Sequence, residues 1–261
     1  MSRSLGELFF LLENDDSSGY AGDSQEDLFG FSGETPTLFR RIEDNDIEIV
    51  TGLYSSAGIS LPDPARRFYE LSVNAFSAFV HAWMSELPIE KEMLNFGRRV
   101  IAAADRAGNG AERRAAERAA IDRGDVDTLT VLAAASKVQY EIHRLLGLLR
   151  FYPDKDIYTA RCSPDHFVLP AMGEHFTGRF GETAWTVIDE RRGLCLRRLP
   201  GERAKTTAQN DPFMESGTSG GDEWEKLFVH YHKTINNESR KNPELQRRFM
   251  PQRYWKYLPE M

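Results

Sequence analysis

Apolar residues recur at three- and four-residue spacing through much of the N-terminal half of the chain. This spacing places them on one face of a helix, so it predicts a series of amphipathic helices. The clearest begins at Asp63–Pro64, a typical N-cap followed by proline at the first helical position, and ends near Leu87–Pro88. The other predicted helices cover Leu5–Glu13, Pro88 to about residue 103, Ala111–Arg123, and the stretch from Asp127 to about Leu146.

The pattern changes at about Gly147, where short strand-like segments begin. Two pairs of such segments each flank a turn-like sequence, and a helix predicted within Pro164–Phe180 separates the pairs. The order strand–strand–helix–strand–strand predicts a small antiparallel sheet with one face covered by helices. The four segments are Gly147–Tyr152, Ile157–Cys162, Trp185–Asp189 and Leu194–Leu199.

Four further segments complete the pattern. Apolar residues alternate over Asp46–Val50, which predicts one more short strand. Asn14–Gly33 is rich in Asp, Ser and Gly, and Arg203–Gly221 is polar and rich in Gly and Ser, so both are predicted loops. Asp222–Asn237 is a predicted helix with one apolar side.

Together these elements predict an α+β protein. A helical N-terminal half packs with a small antiparallel sheet, and a C-terminal helix and basic tail close the fold. Residues 1–63 form an acidic, partly irregular segment. Residues 64–261 form a single domain that is helical over 64–146, contains the sheet over 147–200, and ends in the helix and basic segment of 222–261.

The composition is that of a soluble globular protein, with 41% hydrophobic and 28% charged residues among 261. No apolar run approaches the roughly 20 residues that a membrane helix needs, and Leu5–Leu12 leads into acidic residues, unlike a signal peptide. A cytoplasmic protein with no membrane partner is therefore expected. Cys162 and Cys195 are too few for a disulfide framework or a zinc site, and neither a metal nor a cofactor is predicted.

Charge is distributed unevenly along the chain, whose net charge is −7. Residues 1–63 hold three basic and thirteen acidic residues, whereas Ser239–Leu258 holds six basic residues and one acidic residue. Aromatic residues lie among these C-terminal cations, a composition that suits a polyanion whose bases can stack. The alternative is a basic tail packed over the core with its guanidinium groups in water. The first interpretation makes candidate nucleic-acid contacts of Arg144, Arg150, Arg247, Arg248, Arg253, Tyr254, Trp255 and Lys256.

Four residues are candidates for chemistry. His143 lies in the last turn of the long helix, where it acts either as a base near neutral pH or as a cation at the helix C-terminus. Asp165, His166 and His175 lie in the next helical segment. An Asp–His pair is a recurrent catalytic arrangement, but these residues equally fit a helix cap with partly buried histidines. The sequence leaves open whether the protein is an enzyme.

Several long motifs make the chain similar to a known family. They are EIHRLLGLLRF (141–151), PDHFVLPAMGEHFTGRF (164–180), WTVIDERRG (185–193) and RKNPELQRRFMPQRYWKYLPE (240–260). The chain resembles the bacterial family called domain of unknown function 4130, which is associated with DNA metabolism and DNA repair. The resemblance implies a partner, a DNA-repair radical S-adenosylmethionine (radical SAM) protein encoded beside family members. It implies no particular molecular activity.

Three hypotheses follow for function. The first is an accessory DNA-repair protein that binds nucleic acid through its basic–aromatic C-terminal segment and acts with the radical SAM partner. The second is an enzyme that acts on damaged DNA or a nucleotide, with His143, Asp165, His166 or His175 in its site. The third is an interaction module that docks the partner without touching DNA.

Overall fold

A computed structural model describes residues 3–13, 42–55, 61, 63–108, 110–208, 221–237 and 242–259. The chain divides into two compact units, one of residues 1–49 and 59–136 and the other of residues 50–58 and 137–261. The predicted α+β class is confirmed, with helices first and the sheet in the C-terminal half. The domain boundary after residue 63 stays a prediction. Of the helices described, none is long and apolar enough to cross a membrane.

The first helix, α1 (Leu5–Glu13), is confirmed with its predicted bounds. Its apolar face is buried, with Leu5, Leu8 and Phe9 at most 1% exposed. Phe9 stacks on Phe76, with ring centroids 5.4 Å apart, so aromatic packing holds this helix in the core of the first unit. The helices that follow are α2 (Asp44–Tyr54), α3 (Asp63–Leu71), α4 (Val73–Met84), α5 (Glu90–Ala107), α6 (Glu112–Ala120) and α7 (Val126–Leu148).

Residues 46–50 belong to α2, so the strand predicted over Asp46–Val50 is wrong. Asp46, Ile49 and Val50 are buried at the spacing of one helix face. An alternating pattern of only five residues fits a helix as well as a strand, so it does not distinguish the two. The Asp46 carboxylate accepts hydrogen bonds from the backbone N–H groups of Leu5 (2.9 Å) and Gly6 (3.2 Å). It therefore caps α1, and this long-range contact has no signature in the local pattern.

The helix predicted from Asp63 to Leu87 is in fact two helices, α3 and α4. They separate at Ser72, whose side-chain oxygen accepts a hydrogen bond from the Ala75 N–H at 3.0 Å and caps α4. The same hydroxyl donates to Glu117 at 2.8 Å. The apolar spacing continues through the break, so only the capping chemistry of serine marks it.

The second unit contains a five-stranded sheet whose strands lie in sequence order. Three of the four predicted strands are confirmed, and the first predicted segment overlaps its strand only at Tyr152, because α7 continues to Leu148. A fifth strand lies inside the loop predicted over Arg203–Gly221. The strands are β1 (Tyr152–Asp154), β2 (Ile157–Cys162), β3 (Trp185–Asp189), β4 (Leu194–Arg198) and β5 (Lys205–Ala208).

The sheet is mixed, whereas the prediction was an antiparallel one. β2 and β3 run parallel, with Tyr158 opposite Trp185, and the other neighbouring strands are antiparallel. The cause is the connection between them, which crosses through a 3-10 helix (Leu169–Met172) and α8 (Gly173–Phe180) and returns the chain to the same end of the sheet. Phe176 of α8 lies edge-on to Trp185 at 5.8 Å, so this crossover packs on the sheet.

The chain ends in helical segments. The predicted helix over Asp222–Asn237 is confirmed as α9 (Gly221–Ile235). It is followed by α10 (Pro243–Phe249) and a C-terminal 3-10 helix (Gln252–Tyr257). The loop predicted over Asn14–Gly33 lies outside the described residues.

Candidate nucleic-acid interface

A buried carboxylate connects α7 to the C-terminal segment. The Glu141 side chain is 2% exposed. It accepts hydrogen bonds from the backbone N–H groups of Asp165 (3.0 Å) and His166 (2.8 Å), and from the Tyr254 hydroxyl (2.5 Å) and Arg253 Nη2 (3.2 Å). Four donors compensate the burial of the charge. This Glu141 cluster, defined as Glu141, Asp165, Arg253 and Tyr254, fastens the C-terminal segment to the turn at residue 165.

Arg253 and Tyr254 reinforce the cluster. Arg253 Nη1 lies 2.7 Å from Asp165 Oδ2, and its guanidinium lies 4.7 Å from the centroid of the Tyr254 ring. Burial raises the pKa of Tyr254, and the Glu141 carboxylate raises it further, so the hydroxyl remains a proton donor at neutral pH. Tyr254 is 2% exposed, so its ring is enclosed within the protein, and its predicted contact with nucleic acid stays a prediction.

Lys256 also meets a carboxylate of the chain. Glu190, directly after β3, accepts a hydrogen bond from the Tyr257 hydroxyl at 2.8 Å, and its Oε2 lies 3.5 Å from Lys256 Nζ. Partial desolvation acts to raise the pKa of Glu190, but the Tyr257 hydroxyl and the Lys256 charge outweigh it, and the pKa is lowered. The C-terminal cations Arg253 and Lys256 are therefore partly neutralised within the chain.

Two other predicted contacts of the C-terminal segment, Arg247 and Trp255, have described side chains. Arg247 is exposed on α10, which also contains Arg248. Trp255 is half-buried, and its Nε1 donates to the Met250 carbonyl at 2.8 Å. Among the described side chains of this segment, those of Arg247, Arg253 and Lys256 are exposed cations, and the last two pair with carboxylates.

A second basic and aromatic surface in this unit is concave. It is a groove with a cavity volume of about 380 Å³ that combines two arginines with several aromatic rings. Its described lining contains no carboxylate. The arginines and aromatic residues that define this Arg150 groove are Arg150, Phe151, Tyr152, Tyr158, Arg179, Phe180 and Phe228.

The aromatic wall of the groove is anchored in the core. Phe151 and Phe180 have ring centroids 4.7 Å apart, and Phe151 lies edge-on to the fully buried Phe176 at 4.9 Å. Tyr158, on β2, is 38% exposed and lies 5.6 Å from Phe180. Rings fixed by such packing lose little further freedom when a ligand stacks on them.

The cations of the groove sit beside ring faces. The Arg150 guanidinium lies 5.4 Å from the centroid of Phe228, and its Nη1 donates to the Gly147 and Leu148 carbonyls at the end of α7. Arg179 is exposed on α8 and lies 5.9 Å from its neighbouring ring, Phe180. Arg144 lies one helical turn before Gly147 and is half-buried. The arrangement places positive charge next to apolar rings, as a polyanion with planar bases requires.

Comparison with known proteins identifies the chain at the family level. A family model described as a domain of unknown function, DUF4130, matches residues 110–260. The chain belongs to the DUF4130 family. Comparison with curated proteins found no match, and comparison with solved structures found none either. Both the Glu141 cluster and the Arg150 groove lie inside the matched DUF4130 region.

Two of the candidate catalytic residues, Asp165 and His166, lie beside Glu141, and the other two are exposed on helices of the DUF4130 region. His143 is exposed on α7, and His175 is exposed on α8 with its ring edge-on to Phe176 at 5.1 Å. Asp165 pairs with Arg253, and His166 gives its backbone N–H to Glu141. Across the described part of the chain, no group of three His, Cys, Asp or Glu side chains is placed to hold a metal ion. Catalytic roles for these four residues stay predictions.

Sequence reasoning missed the residues that organise both sites. Glu141 lies three residues after Val138 and four before Leu145, so it shares the apolar face of α7, and a charge on such a face was the available signal. Tyr158 and Arg179 carried no local signal, because the groove forms only when the crossover returns beside β2. Phe228 was predicted on the apolar side of its helix, but not its contact with Arg150.

Proposed function

We propose that this DUF4130 protein binds DNA through the Arg150 groove, with Arg247 and other exposed cations adding to the attraction for the phosphate backbone. The observation that carries the proposal is the groove itself, in which Arg150 and Arg179 lie beside aromatic rings with no carboxylate in the described lining. Arginines bind phosphates with an affinity that falls as the salt concentration rises, and aromatic rings stack on bases.

The C-terminal basic segment has a different part in this proposal from the one its composition predicts. Arg253 and Lys256 pair with Asp165, Glu141 and Glu190, so a nucleic acid would have to compete with these carboxylates for them. We infer that the segment acts mainly as structure, through the Glu141 cluster, and that the groove carries the DNA contacts.

We further propose an accessory role in DNA metabolism or repair, beside a radical SAM enzyme. Support for this part comes from the family resemblance. Purified protein mixed with a radical SAM protein of the kind that the resemblance implies should form a complex that size-exclusion chromatography separates from the two components. Elution of the two proteins as separate peaks at micromolar concentrations would remove the partner from the proposal.

The test of DNA binding is a salt series with fluorescently labelled single- and double-stranded oligonucleotides. Log affinity should fall linearly with log salt concentration. Arg179→Ala should weaken binding and reduce the slope by about 1, the effect of losing one phosphate contact. Arg203→Ala is a matched control, because Arg203 is an exposed arginine of the same unit outside the groove. Absence of binding at low salt, or equal effects of the two variants, would refute the role of the groove.

A further inference from the structure

We infer that the Arg150 groove takes an unpaired nucleobase, so that the protein prefers single-stranded or locally opened DNA to an intact duplex. This inference rests on the proposed function and specifies the form of DNA that the groove accepts. Its starting point is that the groove offers ring faces as well as charge, with Tyr158 38% exposed beside Phe180.

Aromatic ring faces contribute little to the binding of an intact duplex. Its bases are stacked on each other, so a protein that meets only the backbone needs cations and hydrogen-bond donors, without aromatic platforms. Aromatic side chains contribute when a base has left the stack and can lie against them. The five rings of the groove, Phe151, Tyr152, Tyr158, Phe180 and Phe228, therefore point to a base outside a helix.

The dimensions of the groove agree with a single base and its adjoining phosphates. Its volume of about 380 Å³ falls in the range of sites for one small ligand, roughly 300–1,000 Å³. A single strand can also place a phosphate at the rim while its base enters. Arg179, exposed at this position, is the residue that we assign to the phosphate.

The second arginine has a separate role. Arg150 is held by the Gly147 and Leu148 carbonyls at the end of α7, and its guanidinium lies over Phe228. A guanidinium fixed in this way is itself a planar surface on which a base can stack. We assign Arg150 and Phe228 to one side of the bound base, and Tyr158 and Phe180 to the other.

The experiment compares three DNA ligands of equal length: a single strand, a perfect duplex, and a duplex with one unpaired base. The single strand carries one 2-aminopurine, whose fluorescence is quenched when the base stacks. The ligands with an unpaired base should bind at least tenfold more tightly than the perfect duplex, and 2-aminopurine should be quenched on binding.

The variants separate stacking from charge. Tyr158→Ala should weaken single-strand binding roughly five- to 150-fold, which corresponds to the loss of about 1–3 kcal/mol of stacking on one base. Its effect on duplex binding should be smaller, because the bases of a duplex stay stacked on each other. Tyr158→Phe keeps the ring and should keep the affinity and the quenching. Arg179→Ala should weaken binding to all three ligands. Since Tyr158 is partly exposed, circular dichroism should show the same fold for both Tyr158 variants.

The outcomes distinguish the inference from the proposed function. If duplex and single strand bind equally and Tyr158→Ala weakens neither, while Arg179→Ala weakens both, then the groove binds DNA through charge and the inference about an unpaired base is wrong. If no ligand binds at low salt, the proposed function itself fails. If the wild type prefers the single strand, and quenching is lost in Tyr158→Ala but kept in Tyr158→Phe, the inference and the proposed function are both supported.

Discussion

The substitution Glu141→Gln tests whether the Glu141 cluster holds the C-terminal segment in place. Gln keeps the volume of Glu and one acceptor oxygen, but it removes the charge and directs an NH₂ group at neighbouring donors. Those donors are the Asp165 and His166 N–H groups, the Tyr254 hydroxyl and Arg253. The variant therefore leaves at least one buried donor without an acceptor, a condition that destabilises folded proteins.

The size of the effect follows from the burial of the cluster. Removal of one partner of a buried ion pair costs about 3–5 kcal/mol. Arg253 is 41% exposed, so solvent screens part of its share, and Gln retains one acceptor. We therefore expect the free energy of unfolding to fall by about 3 kcal/mol, the lower end of that range. Tyr254→Phe removes one hydroxyl and should cost about 1–1.5 kcal/mol.

The assay is urea unfolding followed by circular dichroism, together with amide hydrogen exchange. Exchange is needed because the chain divides into two compact units, whose unfolding need not be a single transition. Exchange should accelerate most in residues 250–258. Glu202→Gln is the control, since Glu202 is an exposed glutamate of the same unit. The double variant Glu141→Gln/Tyr254→Phe should lose less than the sum of the two single losses, because the two residues share a hydrogen bond.

A different result would refute the reasoning. If Glu141→Gln and Tyr254→Phe each change the free energy of unfolding by no more than Glu202→Gln does, the cluster does not fasten the segment. If both lower stability but exchange in residues 250–258 is unchanged, the carboxylate stabilises the turn at residue 165 and not the C-terminus.

Three further predictions concern single contacts. The pKa of Glu190 is lowered below its ordinary 4.5, so its ion pairs stabilise the protein fully above pH 4.5, and this stabilisation is lost as the pH falls. Wild type should be more stable than Glu190→Gln by under about 1 kcal/mol at neutral pH, and urea unfolding in acid should show no difference between them. Ser72→Ala should lower stability by about 1 kcal/mol through loss of the α4 cap, whereas Ser72→Thr keeps the hydroxyl that caps α4 and donates to Glu117, and should preserve the cap. Asp46→Ala should lower stability by about 1–3 kcal/mol and increase amide exchange at Leu5 and Gly6, whose N–H groups donate hydrogen bonds to the Asp46 carboxylate. Unchanged exchange at these two residues would contradict the capping role.

The sequence predicted those elements whose determinants are local. The helix Leu5–Glu13 and the hairpin strands Trp185–Asp189 and Leu194–Leu199 were found from spacing and turn residues, and the structure contains all three. Asp46–Val50 failed because five alternating residues fit a helix face as well as a strand, and the contact of Asp46 with α1, 41 residues away, lies outside any short window. The parallel pairing of β2 and β3 failed for a related reason. Strand order along the chain does not reveal which end of the sheet a connection returns to.

The candidate site shows the same limit in its charges. Counting along the chain finds six basic residues and one acidic residue over Ser239–Leu258, but it cannot count carboxylates supplied from elsewhere. Glu141 is 112 residues away from Arg253, and Glu190 is 66 residues away from Lys256. A local excess of charge thus became, in part, a set of internal ion pairs.

An arginine that pairs with a carboxylate inside the protein is less available to a ligand than an exposed one. This difference allows the C-terminal segment and the Arg150 groove to be distinguished experimentally. A guanidinium that satisfies a buried carboxylate, as Arg253 does, contributes to folding and is costly to withdraw for a phosphate. An exposed guanidinium such as that of Arg179 contributes little to folding and is available to a polyanion at small cost. Arg253→Ala should therefore reduce stability more than DNA affinity, and Arg179→Ala should reduce DNA affinity more than stability. The reverse pattern would return the DNA interface to the C-terminal segment.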